Sequence, residues 1–415
     1  MNQLQLFLPC AAGVEGFLAD EVHGITGLTG NDLLVGRGGV LLRSSWRQAL
    51  QLNLHSRLAQ RVLVQLAHRM YRSENDLYAL ASDVAWEIWF TTRQSLKVEI
   101  TAQHSPLKSL NFAALRIKDA ICDRFRDKSG GRPDVDTQRP DVRVFAHLTA
   151  TECTIYIDTS GEPLFKRGWR EDKGEAPLKE TLAAAMIVAS GWDASVPLYD
   201  PCCGSGTIAI EAAQIACGIA PGLSRRFGFE KLLPFQAHVW AGLREEAQAA
   251  RRAPQVAIHG SDVAFRMVDF AARNAERAGV AGVVQFRGGD ALQRMPPTEA
   301  PGVMLVNPPY GERIETAGVA GRSRGGRERA QADPGDACGS DFFVQLAAHW
   351  KKNYAGWTAW VLTPDLKLPT RMRLKESRRM PMWNGPIECR LFRFDMVAGS
   401  ARRRDAQTLP PATSA

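Results

Sequence analysis

The sequence lacks several features that mark membrane, secreted and metal-binding proteins. No run approaches the roughly 18 apolar residues that a membrane-spanning helix needs. The first residues carry no basic leader, and Glu15 interrupts the segment where a signal peptide would be apolar. The eight cysteines include no C-x-x-C pair and the eight histidines are scattered, so neither a disulfide framework nor a zinc site is expected. These absences predict a cytoplasmic protein with reduced thiols, no membrane partner and no metal.

The composition shows an ordinary apolar content and a small excess of basic residues. Apolar residues make up 45% of the chain and charged residues 23%, as in globular proteins. Lysine and arginine exceed aspartate and glutamate by 52 to 44, which gives a formal net charge of +8. That sign suits a polyanionic partner such as a nucleic acid. The length of 415 residues fits two or three domains.

The two halves of the sequence differ in the pattern of their predicted strands. In the first 160 residues or so, short strands and helices alternate, with strands expected at 5–8, 39–43, 97–101, 143–149 and 153–158. From about residue 165, apolar strands alternate with longer helices, with strands expected at 196–200, 255–262, 284–290, 303–309 and 357–363. The second pattern predicts a doubly wound parallel sheet. Such sheets bind ligands beyond the carboxyl ends of their strands, where this chain places Gly, Asp, Asn and Pro.

A glycine-containing turn follows the first strand of the second half. Residues 200–207 read Asp-Pro-Cys-Cys-Gly-Ser-Gly-Thr, and glycines in such a turn let a ligand approach the backbone. The third glycine of the dinucleotide fingerprint and the lysine of the phosphate-binding loop are both absent. S-adenosylmethionine has no phosphate, and Asp200 can face its cationic amino group and sulfonium. The cofactor contacts predicted at this turn are Asp200, Cys202, Gly204, Ser205, Gly206 and Thr207.

The next two strands also end in carboxylates. Asp262 ends the second strand, where it can accept hydrogen bonds from both ribose hydroxyls. Asp290 and Ala291 follow the third strand, where the carboxylate can reach the adenine amino group. Three acidic strand ends at this spacing favour S-adenosylmethionine, with a different nucleoside cofactor as the alternative.

The fourth strand runs into the predicted catalytic loop, Asn307-Pro308-Pro309-Tyr310. The Asn307 side-chain carbonyl can accept one hydrogen of a substrate amino group, and the Pro308 carbonyl can accept the other. The prolines fix the loop, and Tyr310 offers a ring on which an extruded base can stack. The loop therefore predicts methyl transfer to an exocyclic amino nitrogen, without a dedicated general base.

Together these motifs resemble the class I S-adenosylmethionine-dependent methyltransferases that methylate amino groups. Over nearly its whole length the chain is similar to the THUMP-containing bacterial rRNA guanine methyltransferases, in the single-methyltransferase form that acts on the guanine 2-amino group. The similarity includes residues 166–170 and 175–181. It implies that the second segment borders the cofactor pocket, which adds Pro177, Lys179 and Glu180 to the predicted contacts.

The resemblance also implies an α/β fold: a Rossmann-like class I methyltransferase sheet with an antiparallel hairpin at one edge, preceded by an α+β region. We predict a ferredoxin-like segment at 1–55, a THUMP RNA-binding domain at 56–162, the methyltransferase domain at 163–398 and a disordered tail at 399–415. The Gly- and Arg-rich residues 316–340 depart from the family pattern, and we expect a mobile, solvated loop there, with ordering over RNA as the alternative.

The partner implied by the resemblance is large-subunit rRNA. Arg167, Trp169 and Arg170 combine cationic and aromatic groups, which suits contact with phosphates and bases, although Trp169 could equally pack at a domain junction. Open alternatives are methylation of a tRNA guanine 2-amino group, of adenine N6 in DNA or RNA, or of a protein glutamine. An RNA-assembly factor that keeps the cofactor pocket without turnover is the non-enzymatic alternative.

Overall fold

Each half of the sequence supplies one seven-stranded sheet to the computed structural model. The structure describes residues 3–174, 177–308 and 337–397, with side chains in the last segment described from Phe342 onward. Within these residues the first sheet is complete before the second begins, so the chain has two α/β halves in sequence order.

The N-terminal sheet contains the strands of both predicted N-terminal domains. In the described residues its strands are β1 (Leu4–Pro9), β2 (Leu33–Gly36), β3 (Gly39–Ser44), β4 (Leu63–Met70), β5 (Leu96–Ala102), β6 (Val142–Leu148) and β7 (Glu152–Asp158). Their order is β2-β3-β1-β4-β7-β6-β5, and only β5 and β6 run parallel. Strand β4 pairs with β1 on one side and β7 on the other, so the two domains share one sheet.

The helices described in this half are α1 (Glu15–Thr26), α2 (Trp46–His55), α3 (Glu74–Asp83) and α4 (Leu110–Ser129). Helix α2 begins at a capping box: Gln48 N–H donates to Ser45 Oγ at 3.2 Å, and Ser45 N–H donates to Gln48 Oε1 at 3.0 Å. Helix α1 ends at Gly27, whose φ of 72° allows the left-handed turn there. Local sequence thus accounts for where these two helices start and stop.

The C-terminal sheet has the predicted doubly wound architecture. Its described strands are β8 (Leu198–Asp200), β9 (Ile258–Asp262), β10 (Val284–Gly288), β11 (Val303–Val306), β12 (Thr358–Thr363), β13 (Arg378–Asn384) and β14 (Ile387–Asp395), in the order β10-β9-β8-β11-β12-β14-β13. Strands β8 to β12 are parallel, and β13 and β14 form an antiparallel hairpin at the edge. The fold class and the edge hairpin are therefore confirmed.

Helices cover this sheet in alternation with its strands. Those described are α5 (Glu180–Ser190), α6 (Thr207–Ala216), α7 (Ala237–Ala249), α8 (Phe265–Arg277), α9 (Ala337–Asn353) and the short α10 (Leu368–Met372). Among all the described helices, none has both the length and the apolar character needed to span a membrane.

A buried ion-pair network joins the two halves behind α6. Glu211 of α6 is fully buried, and its carboxylate lies 3.1 Å from Arg57, which follows α2, and 3.1 Å from Arg167 of the connecting segment. Arg57 also donates to the Ile219 carbonyl at 2.5 Å. Because α6 starts at the glycine turn, this network fixes the turn relative to the N-terminal half.

Candidate cofactor and substrate site

In the glycine turn between β8 and α6, one face of the backbone is not covered by side chains. Gly204 and Gly206 have φ values of 52° and 86°, in the left-handed region that favours glycine. A Cβ at Gly206 would lie 2.9 Å from both Ala271 Cβ and Phe286 Cζ, so glycine lets α6 pack closely on α8 and β10. A Cβ at Gly204 would meet only the Met267 Cε, at 3.9 Å. The open side at Gly204 is where a ligand can approach.

Asp200 lies beneath this turn as a buried carboxylate. It is 1% exposed and accepts one hydrogen bond, from the Cys202 N–H at 3.1 Å. Burial, together with the nearby carboxylate of Asp262, raises the pKa of Asp200 to about 8. No cation pairs with it in the described segments. A positively charged ligand group would favour its ionised form, which fits the amino group or sulfonium of the predicted cofactor.

Asp262 connects the end of β9 to the same turn. Its carboxylate accepts the Gly204 N–H at 3.0 Å and the Ala264 N–H at 2.9 Å. Burial raises the pKa of Asp262, and these two hydrogen bonds act in the opposite direction. A carboxylate has about four acceptor sites, so it retains capacity for ligand hydroxyls.

The end of β10 adds a carboxylate and an aromatic face. Asp290 accepts the Leu292 N–H at 2.9 Å, and Ala291 beside it is buried. The ring of Phe265, the first residue of α8, packs against Gly288, where a Cβ would lie 2.5 Å from the ring. Phe265 is 75% exposed, so its ring borders the ends of β9 and β10. Sequence reasoning did not single out this residue.

The three predicted acidic strand ends converge on one thiol. Burial raises the pKa of Cys202 well above its ordinary value, and the carboxylates of Asp200, Asp262 and Asp290 all raise it further. The pairing of β8 with β9 and of β9 with β10 places the three strand ends side by side, and hydrogen bonds from the Cys202 and Gly204 N–H groups tie Asp200 and Asp262 to the glycine turn. The thiol stays protonated there, so it is no candidate for a nucleophile.

Asn307 and Pro308 lie beside these strand ends in the sheet. Strand β11 is the neighbour of β8, with Val303 opposite Leu198 and Met304 opposite Tyr199. Both strands run in the same direction, so Asn307 leaves β11 at the edge where Asp200 leaves β8. The predicted positions Pro309 and Tyr310 lie outside the described residues, as do most of the 316–340 segment and the C-terminal tail.

The segment before α5 is tied to the glycine turn by Arg170. The Arg170 guanidinium lies 3.1 Å from the Glu180 carboxylate and donates to the Leu178 carbonyl and to Thr207 Oγ1, both at 2.8 Å. Glu180 is 3% exposed, and burial raises its pKa to about 7 despite the neighbouring cation. Arg170 therefore positions the first residue of α6, a role that sequence reasoning missed.

Two other predicted positions in this region have different surroundings. The Lys179 Nζ lies 5.1 Å from the centre of the Phe165 ring, and Pro177 is half-buried.

The residues described contain no cluster of His, Cys, Asp or Glu that could hold a metal ion.

The burial of Arg167 and Trp169 argues against the expected RNA contacts. Arg167 is 2% exposed and pairs with Glu211, and Trp169 is 1% exposed in the core. Arg170 is largely buried by its contacts with Glu180 and Thr207. The expectation is corrected accordingly: Arg167 and Trp169 are interior residues and Arg170 is mostly buried, which leaves little side-chain surface for a phosphate or a base.

Three family profiles match successive parts of the chain. Residues 5–63 match the RlmL ferredoxin-like domain, residues 71–158 the THUMP domain, and residues 167–322 the RMKL-like methyltransferase domain. The "Ribosomal RNA large subunit methyltransferase K/L" of Shewanella pealeana is 37% identical over 408 residues, which is 97% of this chain and 54% of that protein. The chain spans about half the length of the curated relatives it matches.

Solved structures share the fold over nearly the whole chain. The structure titled "SMU.472, a putative methyltransferase complexed with SAH" has a TM-score of 0.82 and 28% identity, covering 95% of this chain and 98% of its own. A Listeria monocytogenes protein titled "predicted N6-adenine-specific DNA methylase" has a TM-score of 0.81 and 28% identity, covering 95% and 96%. In chain order, the matched domains are thus a ferredoxin-like domain, a THUMP domain and an RMKL-like methyltransferase domain.

Proposed function

We propose that the chain is an S-adenosylmethionine-dependent RNA methyltransferase that methylates the exocyclic 2-amino group of a guanine in large-subunit rRNA. One observation carries the proposal. An asparagine leaves β11 at the sheet edge where three carboxylates and a bare glycine turn converge. That arrangement offers a cation-binding pocket next to hydrogen-bond acceptors for an amino group.

The residues around the turn offer a suitable partner for each part of the cofactor: its cationic group, its ribose and its adenine. Asp200 is a buried carboxylate that pairs with no cation of the described residues, which suits a positively charged group, while Asp262 retains acceptor capacity for ribose hydroxyls. Asp290 can accept from an adenine amino group, and the exposed ring of Phe265 can stack on adenine. S-adenosylmethionine, when bound, supplies a methyl group already activated on a sulfonium. The complex of SMU.472 with SAH supports this choice.

The catalytic loop then has to bind and orient a substrate amino group. The Asn307 side-chain carbonyl and the Pro308 carbonyl accept its two hydrogens, which directs the nitrogen lone pair outward from the loop. This is catalysis by alignment, and proximity of this kind can account for several kcal/mol of a barrier. In this proposal Pro309 restrains the loop, and the ring of Tyr310 stacks on the substrate base.

The substrate assignment rests on the relatives and on the matched N-terminal domains. The Shewanella relatives are named for the large ribosomal RNA subunit, and residues 71–158 match a THUMP domain. Guanine and adenine both present an exocyclic amino group, so the loop alone does not choose between them. Methylation of adenine N6 is the second candidate, favoured by the name of the Listeria neighbour.

A substrate comparison tests the proposal. The purified chain is incubated with labelled S-adenosylmethionine and, separately, with large-subunit rRNA, tRNA, DNA and partly assembled large subunits. Modified nucleosides are then identified by mass spectrometry. We expect N2-methylguanosine in rRNA, free or within the particle. Label found only in DNA, or only as N6-methyladenine, would overturn the assignment.

A further inference from the structure

A polar cleft lies on the sheet face opposite the glycine turn. It has a volume of about 360 Å³, and the side chains that matter for its chemistry are those of Tyr199, His259, Gln285, Arg287, Gln293 and Arg294. It lies over β8, β9 and β10, and the residues that follow β10 there form an irregular loop. None of the residues assigned to the cofactor or the substrate lines it.

Strand register places four of these side chains on one face. Tyr199 is paired with His259, and His259 with Gln285, so the three form a row across the sheet. Arg287 is two residues beyond Gln285 on β10 and points to the same side. The intervening Gly260 and Phe286 face the other way, because a Cβ at Gly260 would lie 2.7 Å from the Phe286 ring, on the side of α6 and α8.

Arg294 completes the cleft from the loop after β10. Its aliphatic part packs against Gly289, where a Cβ would lie 2.5 Å from Arg294 Cδ, so the glycine leaves room for the arginine side chain in this position. The Arg294 N–H donates to the Asp290 carbonyl at 2.9 Å, and its own carbonyl accepts hydrogen bonds from His349 Nε2 and Tyr354 Oη. The guanidinium is therefore held by a well-anchored backbone.

The cleft is electropositive and contains buried nitrogen atoms without hydrogen-bond partners. Its lining includes two guanidinium groups and no carboxylate. The His259 Nε2 and Arg294 Nε atoms are buried without a hydrogen-bond partner among the described residues, and His259 is only 7% exposed. Burial lowers the pKa of His259, and the guanidinium groups of Arg287 and Arg294, which line the same cleft, lower it further. Polar groups buried in this way usually have a hydrogen-bond partner.

We propose that this cleft binds a phosphate group. A phosphate offers several acceptor oxygens and a charge that offsets two guanidinium groups, and Arg287 at the exposed rim leaves it a path of entry. S-adenosylmethionine has no phosphate, so this is a second site and not part of the cofactor pocket. The same chemistry can come from a free phosphate or mononucleotide or from an RNA backbone.

Equilibrium dialysis with radiolabelled inorganic phosphate tests the site directly on the whole chain. We expect saturable binding that Arg294→Met and Arg287→Met each weaken about tenfold or more, because charge-assisted hydrogen bonds are lost. Arg251→Met removes an exposed cation elsewhere in the same half and should leave binding unchanged. Absence of saturable binding, or equal binding by all four proteins, would overturn the proposal.

Two further arms identify the source of the phosphate and separate this site from the proposed function. If an RNA backbone occupies the cleft, inorganic phosphate competes with a short RNA in filter binding and Arg287→Met lowers RNA affinity. If a free phosphate or mononucleotide does, Arg287→Met leaves RNA affinity unchanged while phosphate binding falls. S-adenosylmethionine should not displace the phosphate, and displacement would overturn the proposal. None of these readouts depends on methyl transfer.

Discussion

At the scale of single residues, Asp200 shows how burial prepares a site for a cation. Its carboxylate has one backbone hydrogen bond and almost no contact with solvent, so its charged form is costly in the protein alone. A cationic ligand group changes that balance. The same residue therefore influences both the stability of the ligand-free chain and its affinity for the cofactor.

The raised pKa of Asp200 predicts a pH-dependent stability. The pKa rises from 3.8 to about 8 on folding, so between these values the folded state holds the proton more tightly than the unfolded state. The free energy of unfolding should therefore be highest below pH 4 as far as this group is concerned, and should fall as the pH rises toward 8. Asp200→Asn should remove up to about 1.4 kcal/mol per pH unit of this decline. Urea unfolding of both proteins between pH 5 and 8 measures it, and identical slopes would contradict the assignment.

The cofactor affinity should respond to the same substitution. Asp200→Asn removes the carboxylate that faces the ligand cation, and we expect the Kd for S-adenosylmethionine to rise about tenfold or more. Asp269→Asn, at an exposed position of α8, removes a similar charge from the surface and should leave the Kd within about twofold. Calorimetry gives both values. An unchanged Kd in Asp200→Asn would show that the cation lies elsewhere.

At the scale of elements, the two glycines of the turn have different roles: Gly206 allows close helix packing, and Gly204 leaves space for a ligand. Gly206→Ala places a methyl group 2.9 Å from Ala271 and Phe286 in a left-handed backbone, and should cost about 2–4 kcal/mol of unfolding free energy. In Gly204→Ala the new methyl group points into open space, so the substitution should cost only about 1–2 kcal/mol of unfolding free energy. It should nevertheless weaken cofactor binding, because the methyl group occupies the open side of the turn where the ligand approaches. Denaturation of the two variants measures their stability, and calorimetry measures their affinity for the cofactor. Equal losses of stability would contradict the separate roles of the two glycines.

The parallel strands and their acidic ends could be predicted because each signal is local. Strands β8 to β12 are apolar segments followed by turn residues, and Asp200, Asp262 and Asp290 follow from their positions at strand ends. Strand β4 was not predicted from the sequence, because its second half is exposed and its apolar residues do not alternate with polar ones. The edge hairpin was implied only by the family resemblance.

The roles of Arg167 and Arg170 could not be predicted because they depend on tertiary contacts. A cation beside a tryptophan looks the same in sequence whether it faces RNA or a buried carboxylate. A signal was nevertheless available in α6, whose residues 207–216 contain one acidic side chain, Glu211, among mostly apolar ones. A lone charge in such a helix indicates a buried ion pair.

At the scale of the whole molecule, the Glu211 network couples the RNA-facing half expected from the family to the helix behind the cofactor turn. Glu211→Gln removes the one carboxylate that pairs directly with both Arg57 and Arg167, which stay buried, and should reduce the free energy of unfolding by about 3–5 kcal/mol. Glu246→Gln breaks the exposed pair with Arg47, which also joins the halves, and should cost less than about 1 kcal/mol. Urea denaturation compares them. Similar losses in both variants would mean that the buried network is not what holds the halves together.

The most direct test of methyl transfer to an amino group is the single-turnover rate of Asn307→Ala on rRNA, measured together with its affinity for S-adenosylmethionine. Loss of the acceptor should lower the rate about 100-fold or more while the Kd stays within about twofold of the original. Asn31→Ala, at an exposed position of the N-terminal half, serves as the matched control. A full rate in Asn307→Ala would contradict the account, because the amino group would then be aligned by other residues.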